Sequence, residues 1–280
     1  MNTSFNDAVH CLELAQLGNP LFRLSRVFAG ERQELLTAVH AFFASVQIIG
    51  SSLQEEDVAR RKIRWWQNEC MPGNLAVSSH PVLREFERLR SGTDCHEQMQ
   101  AILGGAERRL EKTPPSDEAS LSALCCEIGE PLVDMEMAVC GGASSGLVSL
   151  DDLVMRRGLW TLVCESFGPK GRGHAWWLPL NLLARAGLSR EEIHSDPSNP
   201  ACEEIYKTAL HKTNNISYED DISINNQNHM NIYVLDVLVG KRLEKLSEKS
   251  PKEYPVMVQR TGISDLVTAW SAARKVSRQR

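Results

Sequence analysis

Apolar residues recur at three- and four-residue intervals along almost the whole chain, and that period restricts it to packed helices. Between Glu34 and Ile49 the positions Leu35, Leu36, Val39, Phe42, Phe43, Val46 and Ile49 share one helical face. Leu53 to Glu69 continues the pattern, with Val58, Ile63 and Trp66 on one side and arginines on the other. No alternating run longer than a few residues marks a strand. There is no internal repeat and no GxGxxG or GxxxxGK phosphate loop.

The punctuation divides this pattern into elements. Pro72 and Gly73 in MPGN stop one helix, and Ser78 or Ser79 is expected to cap the next, with Pro81 in its first turn. A helix is expected from about Glu97 to Lys112. Ser116 is expected to cap a long apolar helix running through Val139. CGGASSGLVS breaks the chain before Asp151 or Asp152 opens a helix through Cys164. FGPKGRGH reads as a loop, AWWLPLNLLARAGLSREEIHSD as helical after Pro179, and DPSNPACEE as a turn. NIYVLDVLVGKRLEKLSE is amphipathic, and a last helix covers Ser264 to Val276. The expectation is an all-α fold forming one domain over residues 1–280.

Charge and cysteine usage narrow the function classes. Lys and Arg total 31 against 36 Asp and Glu, a net charge of −5, so no global basic field recruits nucleic acid. No stretch approaches the ~20 apolar residues that span a bilayer. MNTSFNDAVHCLELAQ carries Asp7 and Glu13 and lacks the pattern of a signal peptide. A cytoplasmic location, with room for peripheral membrane contact, is expected. The eight cysteines are scattered without a CxxC pair and read as reduced, packed thiols. A zinc site from Cys95, His96 and a distant cysteine is the weaker reading, because paired ligands are missing.

RKIRWWQNEC, residues 61–70, sets basic side chains against Trp65 and Trp66. A nucleic-acid platform, a membrane anchor and one end of a buried helix all fit such a run. The favoured reading puts Trp66 and Ile63 in the core and the arginines on a solvated face, paired with Glu55, Glu56 and Glu69. Trp176 and Trp177 near Lys170, Arg172 and His174 read as a loop anchored by one buried tryptophan. Asp220, Asp221 and Asn225 supply oxygen ligands late in the chain, in a segment that otherwise reads as a solvated loop.

The order of several stretches resembles the squalene/phytoene synthase family. They are LFRLSRVFAGERQELLTAVHAFFASV, RKIRWWQNEC, HPVLREFERL, RRGLWTLVCES and GRGHAWWLPLNLLARAGLS, running from about Leu21 to Ser189. The chain is most similar to the subgroup that includes a mitochondrial complex I assembly factor. The resemblance implies an isoprenoid-synthase bundle around a deep apolar cavity. Family enzymes join prenyl diphosphates and hold Mg²⁺ on two aspartate-rich motifs of facing helices. Each motif there offers two carboxylates at i and i+4 to neutralise the leaving diphosphate.

In this chain the resemblance places the first motif on ASVQIIGSS, with Gln47 and Ser51 at the aspartate positions. The second falls on TLVCESFGP, where Glu165 is the one carboxylate, Pro169 is its i+4 partner and Cys164 replaces a basic residue. Glu31 and Glu34 lie too far upstream for a shifted alignment to restore the motif. The expected function is therefore a non-catalytic family member, serving as an assembly or interaction factor or as a binder of an apolar, isoprenoid-like ligand. No cofactor is expected. The alternative is a prenyltransferase with atypical motifs, which would need Mg²⁺ or would balance a prenyl diphosphate with Arg60, Arg64, Lys170 and Arg172. His40, upstream of Gln47 on the predicted cavity face, joins these as a candidate ligand contact.

Overall fold

The computed structural model describes residues 2–52, 55–141, 150–169, 175–196, 199–214 and 229–278, and every regular element among them is helical. The chain opens with α1 (Asn2–Gly18) and α2 (Phe22–Arg26), followed by α3 (Gln33–Ser52) and α4 (Glu56–Glu69). Next come α5 (Pro72–Leu75), α6 (Pro81–Leu89) and α7 (His96–Arg108), whose end tightens into a 3₁₀ turn, Arg109–Glu111. The long pair α8 (Glu118–Cys140) and α9 (Leu150–Phe167) follows, then α10 (Leu180–Ala186), α11 (Arg190–Ser195) and α12 (Pro200–Asn214). The chain finishes with α13 (Met230–Ser247), α14 (Tyr254–Gln259) and α15 (Ile263–Arg278).

Local chemistry moves several expected boundaries. The cap of α8 is Asp117 rather than Ser116: its Oδ1 accepts from the Ser120 backbone N–H at 2.8 Å, a bond that Ser116 is one residue too early to make. His80, not Ser78 or Ser79, caps α6 through Nδ1, which accepts from Val82 N–H at 3.3 Å. Burial, with His10 nearby, pushes His80 down to about 4, so the ring is neutral and free to accept. The helix expected after Pro179 divides in two because Gly187 turns left-handed (φ +66°). Ser189 and Glu192 then close a capping box that starts α11. Within DPSNPACEE the turn ends at Asn199, where Pro200 occupies the first position of α12.

Helices α8 and α9 pack closely enough for backbone to touch backbone. A Cβ at Gly129 would collide with the Val154 carbonyl oxygen, and one at Gly158 with that of Cys125. Helix α3 lies across this pair and also carries α1, α6 and α7, while α13 covers α9 from the other side and supports α12 and α15. Trp66 is buried as expected, with Phe42 and His80 rings edge-on at 5.6 and 4.5 Å.

Buried charges tie these layers together. Arg156 holds Asp236 of α13 with two hydrogen bonds, at 2.8 and 2.6 Å. Arg157 turns the other way and lies 3.5 Å from Glu136 of α8, while donating to the Ile232 carbonyl at 3.2 Å. Glu136 meets His40 Nε2 of α3 at 2.8 Å, and Phe22 stacks on the His40 ring at 4.0 Å. Burial opposes the charge on Glu136, but Arg157 and His40 outweigh it and hold the carboxyl below its ordinary value of 4.5.

Removing one partner leaves a buried charge without compensation. Glu136→Gln is expected to lower unfolding stability at pH 7 by about 3 kcal/mol. Because the folded carboxyl titrates below its unfolded value, its contribution is fully present above that range and is lost as pH falls through the folded value. Denaturant melts of the two proteins should therefore diverge at neutral pH and converge below pH 4.5.

Candidate functional site

The positions aligned with the two family motifs do come together. Gln47 is buried on the inner face of α3 near its end, and Glu165 sits near the end of α9. Between them lies a residue that the sequence reading did not select. Arg109, in the turn after α7, donates from Nη2 to Gln47 Oε1 at 2.7 Å. Burial lowers the Arg109 guanidinium from its usual range, while the charges of Glu165 and Glu127 pull the other way. Burial likewise raises the Glu165 carboxyl. Arg109, Lys112 and a hydrogen bond donated by the Trp176 indole all favour its ionised form, without cancelling the desolvation.

This donor set does not suit Mg²⁺. The ion prefers six hard oxygens in near-octahedral geometry. Here one carboxylate is available, the Gln47 amide oxygen is already engaged by Arg109, and Pro169 carries no side-chain ligand. Arg109 and Lys112 add positive charge near Glu165, and like charge opposes the gathering of divalent ions there. Among the described residues no cluster of three or more His, Cys, Asp or Glu side chains is arranged to hold a metal ion. His96 Nδ1 instead lies 3.0 Å from the Cys70 carbonyl, and Cys95 is buried.

The remaining candidates separate spatially. His40 stands two helical turns from Gln47, roughly 10 Å along α3, inside the ion network with Glu136 and Arg157. The enclosed cavity beside His40, Arg157 and Thr161 measures about 20 Å³, room for one water molecule. Arg60 is paired with Glu56 at 2.6 Å and Glu111 at 3.3 Å, and Arg64 lies 3.9 Å from Glu107, so the carboxylates that meet them differ in part from those expected. Trp65 is half exposed beside this charged face. Trp177 is fully buried and donates to Ser166 Oγ at 2.9 Å, whereas Trp176 is half-buried and reaches Glu165. The Ser51 side chain, Lys170, Arg172, His174 and the segment holding Asp220, Asp221 and Asn225 lie outside the described residues.

Arg109 had a legible trace. Ile102 and Ala106 mark the buried face of α7, and Arg109 falls seven residues after Ile102 on that same face. A basic residue continuing an apolar stripe is a candidate for a buried partner.

The single-domain helical bundle has the isoprenoid-synthase fold. A solved structure described as a dehydrosqualene synthase in complex with ligand superposes with a TM-score of 0.62. That likeness covers 99% of this chain and 98% of that one at 11% identity. The squalene/phytoene synthase family matches residues 18–216, and the chain belongs to that family. A search of curated proteins finds no match.

If Arg109 is what favours the ionised form of Glu165, Arg109→Met should raise the Glu165 carboxyl further above its ordinary value. A carbon-detected NMR titration of the Glu165 side chain, compared between the two proteins, measures this. An unchanged titration would remove Arg109 from the site.

Proposed function

We propose that this family member has given up Mg²⁺-dependent condensation of prenyl diphosphates and works without catalysis, as an assembly or interaction factor. The observation that carries this reading is the Arg109 guanidinium fixed 2.7 Å from Gln47, with Glu165 beside it. A side-chain cation bound to Gln47 and attracted by Glu165 supports this reading, since it disfavours gathering further positive charge there. One carboxylate among two cations does not assemble an ion cluster on a diphosphate.

The interior supports the same conclusion. Two turns below Gln47, His40, Glu136 and Arg157 join α3, α8 and α9 in a buried polar cluster rather than an apolar lining.

A second reading rests on Arg109 and Lys112 themselves. Two cations facing one carboxylate leave positive charge near Glu165, which suits a phosphate-bearing apolar ligand bound without metal. Calorimetric titration with farnesyl and geranylgeranyl diphosphate, with Mg²⁺ or with chelator, separates these possibilities. The proposal expects Mg²⁺ to change any affinity by less than about threefold, a difference under 1 kcal/mol. Metal-independent binding that is lost in Arg109→Ala would favour the ligand-binding reading. Strong tightening by Mg²⁺ would overturn both.

A further inference from the structure

Helix α15 is built the wrong way round for a helix whose only partner is its own core. Its inner face is made of small side chains, Ala269, Ala272 and Ala273, with Val276 and with Asp265 bound to Arg242 at 2.6 Å. Its large apolar residues face outward: Ile263 is 80% exposed, Leu266 54%, Val267 56% and Trp270 57%. Their spacing of three, four and seven residues makes one continuous stripe. Scattered exposed apolar residues are ordinary, but a contiguous stripe ending in a tryptophan marks a surface that binds something.

The charge around the stripe identifies the occupant. Residues 254–277 hold three basic side chains, Arg260, Arg274 and Lys275, against one acidic residue, Asp265. That acid is buried in its ion pair, so the exposed charge of the segment is basic on a chain whose net charge is −5. Arg274 lies over the Trp270 ring, 4.8 Å from its centroid, so a cation stands at the edge of the apolar stripe. Apolar residues and tryptophan on one face with basic residues beside them are the features of a helix that lies in the headgroup layer of an anionic bilayer.

We infer that α15 docks this protein on an anionic lipid surface, with Ile263, Leu266, Val267 and Trp270 entering the headgroup boundary and the basic residues meeting lipid phosphates. The helix does not cross the bilayer. Among the described residues no helix is long and apolar enough to do so. Presentation is rigid rather than induced. Arg242 on α13 holds the start of α15 through Asp265, and it also donates to the Met257 and Arg260 carbonyls. The inference is independent of whether the Gln47 and Glu165 site binds a ligand.

Flotation of the full chain with vesicles tests it, using phosphatidylcholine alone and phosphatidylcholine mixed with phosphatidylglycerol. The expected result is partition onto the mixed vesicles and little onto the neutral ones. Leu266→Ser combined with Trp270→Ser should weaken partition at least about tenfold, since the stripe supplies the buried apolar area. Arg260→Glu combined with Arg274→Glu should remove most of the preference for anionic lipid while the apolar stripe stays intact. Circular dichroism and melting of each variant establish that the fold is retained. Both pairs are exposed, so the second remains informative should the first unfold. Three results would each overturn the inference: no partition of the parent protein, equal partition onto both vesicle types, or undiminished partition of the folded Leu266/Trp270 variant. Self-association of the parent that the same variant abolishes would assign the stripe to a second copy instead and overturn it as well.

Discussion

Two consecutive arginines in the middle of α9 hold the layers of this bundle in register. On a helix, neighbouring residues diverge by about 100°. Arg156 reaches Asp236 of α13, while Arg157 bridges the Ile232 carbonyl of α13 and Glu136 of α8, which also meets the His40 ring on α3. Gly158 follows immediately and lets α8 approach until backbone meets backbone. The ion contacts need that approach, and the approach is stable only with a small residue at Gly129 and Gly158. Buried ion pairs add little net stability compared with a well-packed apolar core, but breaking one is costly. They fix which helices face one another, and so they fix that Gln47 and Glu165 share one site.

At that site the family fold is retained, and the side chains that meet there differ from an aspartate-rich pair. A metal-dependent transferase concentrates carboxylates so that divalent ions can gather on a diphosphate. Here a guanidinium from the turn after α7 links the two motif positions, accepted by Gln47 and favoured by the charge of Glu165. The residues that remain are one carboxylate, Glu165, with the cations of Arg109 and Lys112 near it.

Much of the fold was legible because it depends on periodicity. The stripe from Leu35 to Ile49, the stop at Pro72 and Gly73, and the last helix from about Ser264 all follow from local patterns that the structure repeats with small boundary shifts. Those shifts arose where several polar residues competed for one cap, as at Ser116 and Asp117. Long-range pairings were not legible. Glu136 reads as one acid in an apolar helix, and nothing local reveals that His40 and Arg157 meet it from 96 and 21 residues away. Arg109 was overlooked for the same reason: its partner lies 62 residues distant. The degenerate motifs were visible in the sequence, but what fills their place was visible only in three dimensions.

The central claim is that the guanidinium at Gln47 and Glu165 stands in place of metal-dependent catalysis. Release of inorganic pyrophosphate from farnesyl and geranylgeranyl diphosphate, followed over many enzyme equivalents with Mg²⁺ present, addresses it most directly. The account predicts no release above the protein-free control, with or without chelator. Steady multiple-turnover release that stops on chelation and in Glu165→Ala would contradict it and show that the site is catalytic.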